Sequence, residues 1–277
     1  MPQAQSGAAR IHYEEIGQGD PLLLVMGFGL SGGAWAPILP LLSGYRVIYY
    51  DNRGTGNSEG PMEDLSIETF AEDAAAVLRA AGVARAHVHA QSMGGMIGLQ
   101  LTLSHPELVH TLALGCTTPS PIRFFPEDPQ AVIDLYTAVG TFGSDPERAI
   151  DIVMPAVFSP DYLQDNPAMR EVFMQLSSAG APTPAAVEAT LRAMGDMSTG
   201  RAFDVTDRLG EIRVPVLVQH GSADRIIPVA AGRYLAEHIA GAEYQELPGA
   251  GHIYSMEQPM ESISRLLGFL GGHPIGA

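Results

Sequence analysis

The sequence predicts an α/β fold in which a mostly parallel central sheet is flanked by helices and interrupted once by a helical insertion. Three observations predict it. Short apolar runs alternate with segments of helical spacing in the first and last thirds of the chain. Between about Pro119 and Asp207 that rhythm stops, and proline-punctuated helical spacing continues with no strand between. The composition, 46% hydrophobic and 17% charged over 277 residues, fits one well-packed core carrying an insert and leaves little room for a disordered tract. The expected organisation is a core of residues 1–118 and 208–277 with a helical cap over 119–207.

Taken in order, Ile11 to Glu15 alternates as a half-exposed strand, and Gly17 to Pro21 is a turn leading into the buried strand Leu22 to Val25. These two strands are expected to pair as a hairpin. Arg46 to Tyr50 is a buried strand ending at Asp51, and Ser66 opens a helix that runs to Ala81. Ala86 to Ala90 is a strand, Met93 to Ser104 a helix stopped before Pro106, and Thr111 to Leu114 another strand, which makes a βαβ unit. The insert carries Met154, Phe158, Tyr162, Met169, Phe173, Met174, Met194 and Met197 on its helices. The sheet resumes with Val214 to Val218, then a helix over Ala230 to Ile239, a short strand at Glu243 to Leu247 and a last helix from Met260 to Phe269.

Charge and composition exclude several chemistries. With 31 acidic against 15 basic residues and a net charge of -16, the surface does not suit nucleic acid or an anionic membrane. An arginine such as Arg53 or Arg123 remains available to meet one substrate carboxylate. The basic residues are all arginine, so Schiff-base and phosphate-loop lysine chemistry is absent. The single cysteine, Cys116, follows an apolar run and reads as a small core residue. The N-terminus lacks an apolar leader and no stretch approaches the roughly 20 apolar residues of a membrane span, so a cytoplasmic protein is expected. A homodimer is left open.

The chemistry concentrates at three loops. Ala90-Gln91-Ser92-Met93-Gly94-Gly95 stands between a buried strand and an apolar helix, the setting a nucleophilic serine on a tight turn requires. A serine there also caps helices, so the turn needs partners to carry a reaction. Asp224 follows the strand at Val214 to Val218, and His252 lies in the glycine-rich loop Pro248-Gly249-Ala250-Gly251-His252 after the next strand. Open sheets gather functional loops at the carboxyl ends of their strands, so an acid and a base on consecutive loops can converge on Ser92. The bland readings are an Asp224–Arg225 ion pair and a surface histidine. Backbone N–H groups of Met93, at the helix start, and of Phe28, in Met26-Gly27-Phe28-Gly29, are the expected oxyanion donors. Gly27, Trp35, Met154, Phe158 and Ile253 are the expected pocket wall, suited to a mostly apolar group. No metal site is expected, because His87 and His89 share one strand face without a third ligand.

These residues resemble the α/β-hydrolase superfamily across nearly the whole chain, through Met26 to Gly29, Asp51-Asn52-Arg53-Gly54-Thr55-Gly56-Asn57-Ser58, the Ser92 turn, Asp224-Arg225 and Gly251-His252. The resemblance implies an acyl-enzyme mechanism, a lid over 119–207 and no cofactor. It is nearest to serine esterases, enol-lactonases and cofactor-free perhydrolases. The implied function is cleavage of a carboxylic ester or lactone with a mostly apolar, small-to-medium substrate. The alternatives are a carbon–carbon hydrolase or perhydrolase on the same triad, or a non-catalytic ligand-binding member. Ala90 replaces the usual glycine, Gln91 stands where histidine is frequent, and Ile253 replaces the tryptophan of many carbon–carbon hydrolases. Against all of these stands a dinucleotide reading of Gly27-Phe28-Gly29-Leu30-Ser31-Gly32 followed by Asp51, which Pro37 and Pro40 oppose by interrupting the helix it needs.

Overall fold

Runs of Val, Ile, Leu and Tyr set between turns build the strands, and the stretches of helical spacing cover them on both faces. The fold is that of a computed structural model describing residues 2–126, 128–195 and 201–276, with Arg201 by its backbone alone. The strands are β1 (Gln3–Ser6), β2 (Ala9–Ile16), β3 (Pro21–Val25), β4 (Arg46–Tyr50), β5 (Ala86–Gln91), β6 (Val109–Gly115), β7 (Arg201–Ala202), β8 (Val216–Gly221) and β9 (Glu243–Leu247). The helices are α1 (Ile67–Ala80), α2 (Met93–Ser104), α3 (Gln130–Thr141), α4 (Pro146–Val157), α5 (Pro160–Asp165), α6 (Met169–Ser178), α7 (Pro184–Gly195), α8 (Val229–His238), α9 (Tyr254–Glu257) and α10 (Pro259–Gly271). Ser66 caps α1 by accepting from the Thr69 N–H, and Asp145 caps α4 by accepting from the Arg148 N–H.

Eight strands form one sheet in the order β1-β2-β4-β3-β5-β6-β8-β9. The β1–β2 and β2–β4 pairs are antiparallel, and every pair from β4 to β9 is parallel. The expected hairpin of β2 with β3 does not form, because β4 lies between them and the hairpin partner of β2 is β1, a strand with too weak a pattern to read. The reason is burial: Leu22 to Val25 are all buried and need parallel neighbours on both sides, whereas β2 ends in the exposed Glu14, Glu15 and Ile16. The strand order reverses at β3, whose neighbours are β4 on one side and β5 on the other. That switch point opens a crevice at the carboxyl ends of β3 and β5, where the glycine loop and Ser92 lie.

Alternate side chains of β3 enter opposite layers. Leu23 and Val25 pack with α1, α2 and α8 residues such as Phe70, Ile97 and Leu235, while Leu22 and Leu24 pack with Trp35, Leu266 and Phe269. Helices α3 to α7 all fall between β6 and β8, and α3, α4 and α6 share a third apolar cluster with Ile226 and Ile227 of the core. Met197, together with residues 127 and 196–200 of this stretch, lies outside the described residues. No helix of the described residues is long and apolar enough to cross a membrane.

Candidate active site

Ser92 occupies the one-residue corner between β5 and α2, with φ 57° and ψ -125°, a backbone conformation a side-chain-bearing residue enters only under strain. The surroundings impose it. The Ser92 N–H donates to the Gly115 carbonyl at 2.9 Å, and the Ser92 carbonyl accepts from the Gly95 N–H at 2.9 Å and from Thr117 Oγ1 at 2.7 Å. The Ser92 hydroxyl makes no cap bond to the helix, so the capping role falls away. Gly94 has no room for a side chain, since a Cβ there would lie 2.8 Å from the Val25 carbonyl carbon and 2.9 Å from the Met26 oxygen. Gly98 lets α2 cross close to β5, since a Cβ there would stand 3.0 Å from the Ala90 Cβ.

The loops after β8 and β9 meet over this corner. The His252 Nε2 lies 2.9 Å from Ser92 Oγ, and the His252 Nδ1 lies 2.8 Å from Asp224 Oδ2. With the proton on Nδ1 shared with the carboxylate, Nε2 is free to accept from the Ser92 hydroxyl. Asp224 is held in turn: its Oδ1 accepts from the N–H groups of Ile226 at 2.8 Å and Ile227 at 3.0 Å, and its side chain is fully buried. Burial alone pushes the carboxyl up. The charge of His252 and the N–H donors of His220 and His252 outweigh it and hold Asp224 well below the ordinary carboxylate range. Arg225 turns away to the Pro155 carbonyl and Asp128, so the Asp224–Arg225 ion pair does not form.

His220 escaped the sequence reading. It is fully buried, with Nε2 3.0 Å from the Ile227 carbonyl and 3.3 Å from Asp224 Oδ2. The signal was there in a histidine placed at the end of β8, four residues before the acid.

The loop after β3 passes directly over the serine, since a Cβ on Gly27 would lie 3.0 Å from the Ser92 Cβ. Gly29, at φ 79°, lets the chain turn back. Among the described residues neither the Phe28 nor the Met93 N–H has an acceptor in the protein, which leaves both available to an anion beside Ser92. The Asp51 to Ser58 segment anchors this loop. Asn52 Nδ2 donates to the Met26 carbonyl at 2.8 Å, and Asp51 accepts from the N–H groups of Gly32 and Asn57, each at 2.8 Å. Arg53 is consumed by a buried two-point ion pair with Asp73 at 3.0 and 2.7 Å, so it cannot serve a substrate carboxylate. Arg123 pairs with Asp204 at 3.2 Å. The dinucleotide reading also fails here: Asp51 is engaged by backbone, and Gly32–Trp35 is a single 3-10 turn rather than the start of a long helix.

A cleft leads to Ser92 and His252, with about 850 Å³ of empty space when the open solvent at its mouth is included. Gly27, Trp35 and Ile253 lie on its wall; Met154 and Phe158 do not. The wall residues of α4 are Val153 and Val157, one turn apart; Met154 follows Val153 by one position, about 100° round the helix, and Phe158 follows Val157 on extended backbone just past the helix end, and all four belong to the apolar cluster of α3, α4 and α6. Phe158 stacks there on Tyr162 at 5.5 Å and meets Phe173 edge-on at 5.2 Å. Leu135, Val139 and Phe142 of α3 with its C-cap, unassigned from sequence, complete the apolar wall. A second apolar cavity, lined by Met93, Met96, Phe124 and Ile226, also reaches Ser92.

Cys116 lies just past β6, and its thiol is pushed up by burial and by the Asp224 charge. Its sulfur, His220 and Asp224 form the only group of three ligand-type atoms within 4.8 Å among the described residues, but Asp224 is already committed to His252. His89 packs on Trp35 and His87 bonds Thr111, both buried.

Comparison with known proteins follows the same lines. The family model for the alpha/beta hydrolase fold matches residues 20–259. A protein named as a carbamate hydrolase, RutD of Azorhizobium caulinodans, is 33% identical over 98% of this chain and 98% of its own. Among solved structures, Est816, described as degrading N-acyl homoserine lactones, is 30% identical with a TM-score of 0.79 over 97% of this chain and 100% of its own. The enol-lactonase of Burkholderia xenovorans LB400 is 27% identical with a TM-score of 0.81, covering 98% of this chain and 100% of its own.

Proposed function

The chain belongs to the alpha/beta hydrolase fold family, and from that premise we propose that it is a serine hydrolase cleaving a carboxylic ester or lactone through an acyl-enzyme. The observation that carries the reading is the continuous chain from Ser92 Oγ through His252 to the buried Asp224, with contacts of 2.9 and 2.8 Å, at the end of an apolar cleft. The likeness to an enzyme that degrades N-acyl homoserine lactones and to an enol-lactonase supports the substrate class.

Ser92 Oγ attacks the carbonyl while His252 Nε2 takes its proton, and Asp224 keeps the imidazole in the required tautomer and stabilises the imidazolium. The Phe28 and Met93 N–H groups receive the oxyanion, each contributing about 3 kcal/mol to its stabilisation. His252 then protonates the leaving alcohol, and a water activated by the same nitrogen releases the acid. Residues 119–207 act as the cap, with α3, α4 and α6 walling the cleft over the core of 1–118 and 208–277. The scarcity of polar groups on that wall favours an apolar, small-to-medium substrate.

The likeness to the protein named as a carbamate hydrolase adds a carbamate carbonyl as a second reading, open to the same attack. Hydrolysis of p-nitrophenyl esters from acetate to decanoate, of a lactone and of a carbamate tests both. Turnover is expected on the esters and the lactone, and its loss in Ser92→Ala and His252→Ala variants of verified folding. A carbamate preferred over every ester selects the second reading, and no turnover on any of them sinks the proposal in favour of a ligand-binding role.

A further inference from the structure

Helix α9 carries a carboxylate that the reaction above leaves unused. Glu257 stands half-buried between the His252 loop and the inserted helices. Its Oε1 accepts from the Gly251 N–H at 2.9 Å and from the Ser159 N–H at 2.9 Å, and its Oε2 accepts from Ser159 Oγ at 2.6 Å. Gly251 immediately precedes His252, and Ser159 sits at the junction of α4 and α5. On the other side of the histidine, the Ile253 N–H donates to the Val157 carbonyl at 3.2 Å. Tyr162 Oη adds a bond to the Met256 carbonyl at 3.1 Å. Both chain neighbours of His252 are therefore tied to one stretch of the insert, Val157 to Ser159.

The approach is backbone to backbone. A Cβ on Gly251 would lie 2.8 Å from the Val157 oxygen and 3.0 Å from the Ser159 nitrogen, so glycine is what allows the two segments to touch. The core holds the same loop upstream, where the Ala223 N–H donates to the Ala250 carbonyl at 2.9 Å and Gln258 donates to the Pro248 carbonyl at 2.9 Å, and downstream, where Gln91 Nε2 donates to Ser255 Oγ at 3.1 Å; the backbone N–H groups of Gly251 and Ile253, on either side of His252, are taken by Glu257 and by the Val157 carbonyl. Three donors from two segments converge on Glu257, and an ionised carboxylate, acceptor-only with two oxygens, is the side chain that satisfies all three at once.

We propose that Glu257 is a positioning residue that latches the Val157–Ser159 segment of the cap to the His252 loop, so that docking of the cap and placement of the general base are a single event. This rests on the reading of His252 as the base. An imidazole displaced by a fraction of an ångström still lets an activated ester react, because its leaving group needs no proton. It fails with an alkyl ester, whose alkoxide must be protonated as it departs.

The test compares Glu257→Ala, Glu257→Asp and Glu257→Gln with wild type on a p-nitrophenyl ester and an ethyl ester of the same acid. Ala and Asp are expected to lower kcat by about 10- to 100-fold with much smaller change in KM, and to lower it more for the ethyl ester. Asp keeps the charge but is too short to span both segments, and it serves if the Ala variant does not fold. Gln is expected to rescue, since its carboxamide oxygen can accept both N–H groups and its NH2 can donate to Ser159 Oγ. Amide hydrogen exchange reads the latch without substrate: Gly251 and Ser159 should lose protection together in the Ala and Asp variants while the sheet keeps its own. Equal losses on the two esters, or independent exchange at Gly251 and Ser159, overturn the proposal. A wild type with no turnover sinks the hydrolase reading instead, and the exchange result then judges the latch alone.

Discussion

Replacing Gly94 by alanine adds one methyl group and should cost both stability and rate. The new Cβ would stand 2.8 Å from the Val25 carbonyl carbon and 2.9 Å from the Met26 oxygen, where ordinary carbon contacts need about 3.5 Å. The obstacle is backbone on both sides, so no side chain can swing away, and α2 must move from the end of β3 by about 0.7 Å or more. Overpacking of this kind costs roughly 1–3 kcal/mol. The same shift separates the Met93 N–H at the start of α2 from the Phe28 N–H on the loop after β3, the two proposed oxyanion donors, and a displacement approaching 1 Å costs on the order of 100-fold in rate. Urea unfolding and kcat/KM on a p-nitrophenyl ester measure the two effects. An alanine variant within about 0.5 kcal/mol and twofold of wild type would refute the account of why this position is glycine.

Ser92→Gly should abolish turnover yet raise stability by about 1 kcal/mol, because glycine accepts φ 57° without strain; Ser92→Ala should abolish turnover with no such gain, and thermal unfolding of the pair separates them. Val157→Phe, on the cleft wall, should move the ester optimum to shorter chains, whereas Met154→Ala, in the helix cluster beside it, should leave the optimum in place and cost about 2–5 kcal/mol in denaturant titrations. Burial lowers His87 and His89 from 6.5 to about 4. Their folded forms stay neutral while the unfolded chain takes up two protons, so stability should be complete above pH 6.5 and fall as the pH drops toward 4, by up to roughly 2–3 kcal/mol per pH unit. Urea midpoints at pH 7 and 5 should converge in a His89→Leu variant relative to wild type, and an unchanged gap would count against this assignment. Asp224, held low, adds the same sign only below its ordinary value of 3.8.

The alternation of buried strands with helical spacing was enough to read the mostly parallel sheet and the bounds of α2 from Met93 to Ser104, because periodicity and proline placement are properties of the chain alone. Ser92, Asp224 and His252 could be singled out for a related reason: each lies just past a strand run, and parallel strands bring their carboxyl ends to one rim whatever their order. Strand order itself is a long-range matter: the apolar run of β3 announces a strand buried between two neighbours, but nothing local to β2 or β3 says that β4 is the neighbour that separates them. Facing was equally out of reach for Met154 and Phe158. Val153, Met154, Val157 and Phe158 form one apolar run and all pack in one cluster, and only the tertiary placement of α4 and its end beside the cleft decided that the two valines line it. Arg53 looked free until Asp73, twenty residues away, was found to consume it, and His220 and Glu257 looked ordinary until folding set one against Asp224 and the other between Gly251 and Ser159. Local pattern fixes what a segment becomes and on which rim its ends emerge. Which neighbours a side chain meets is settled by packing between segments that the chain order keeps apart.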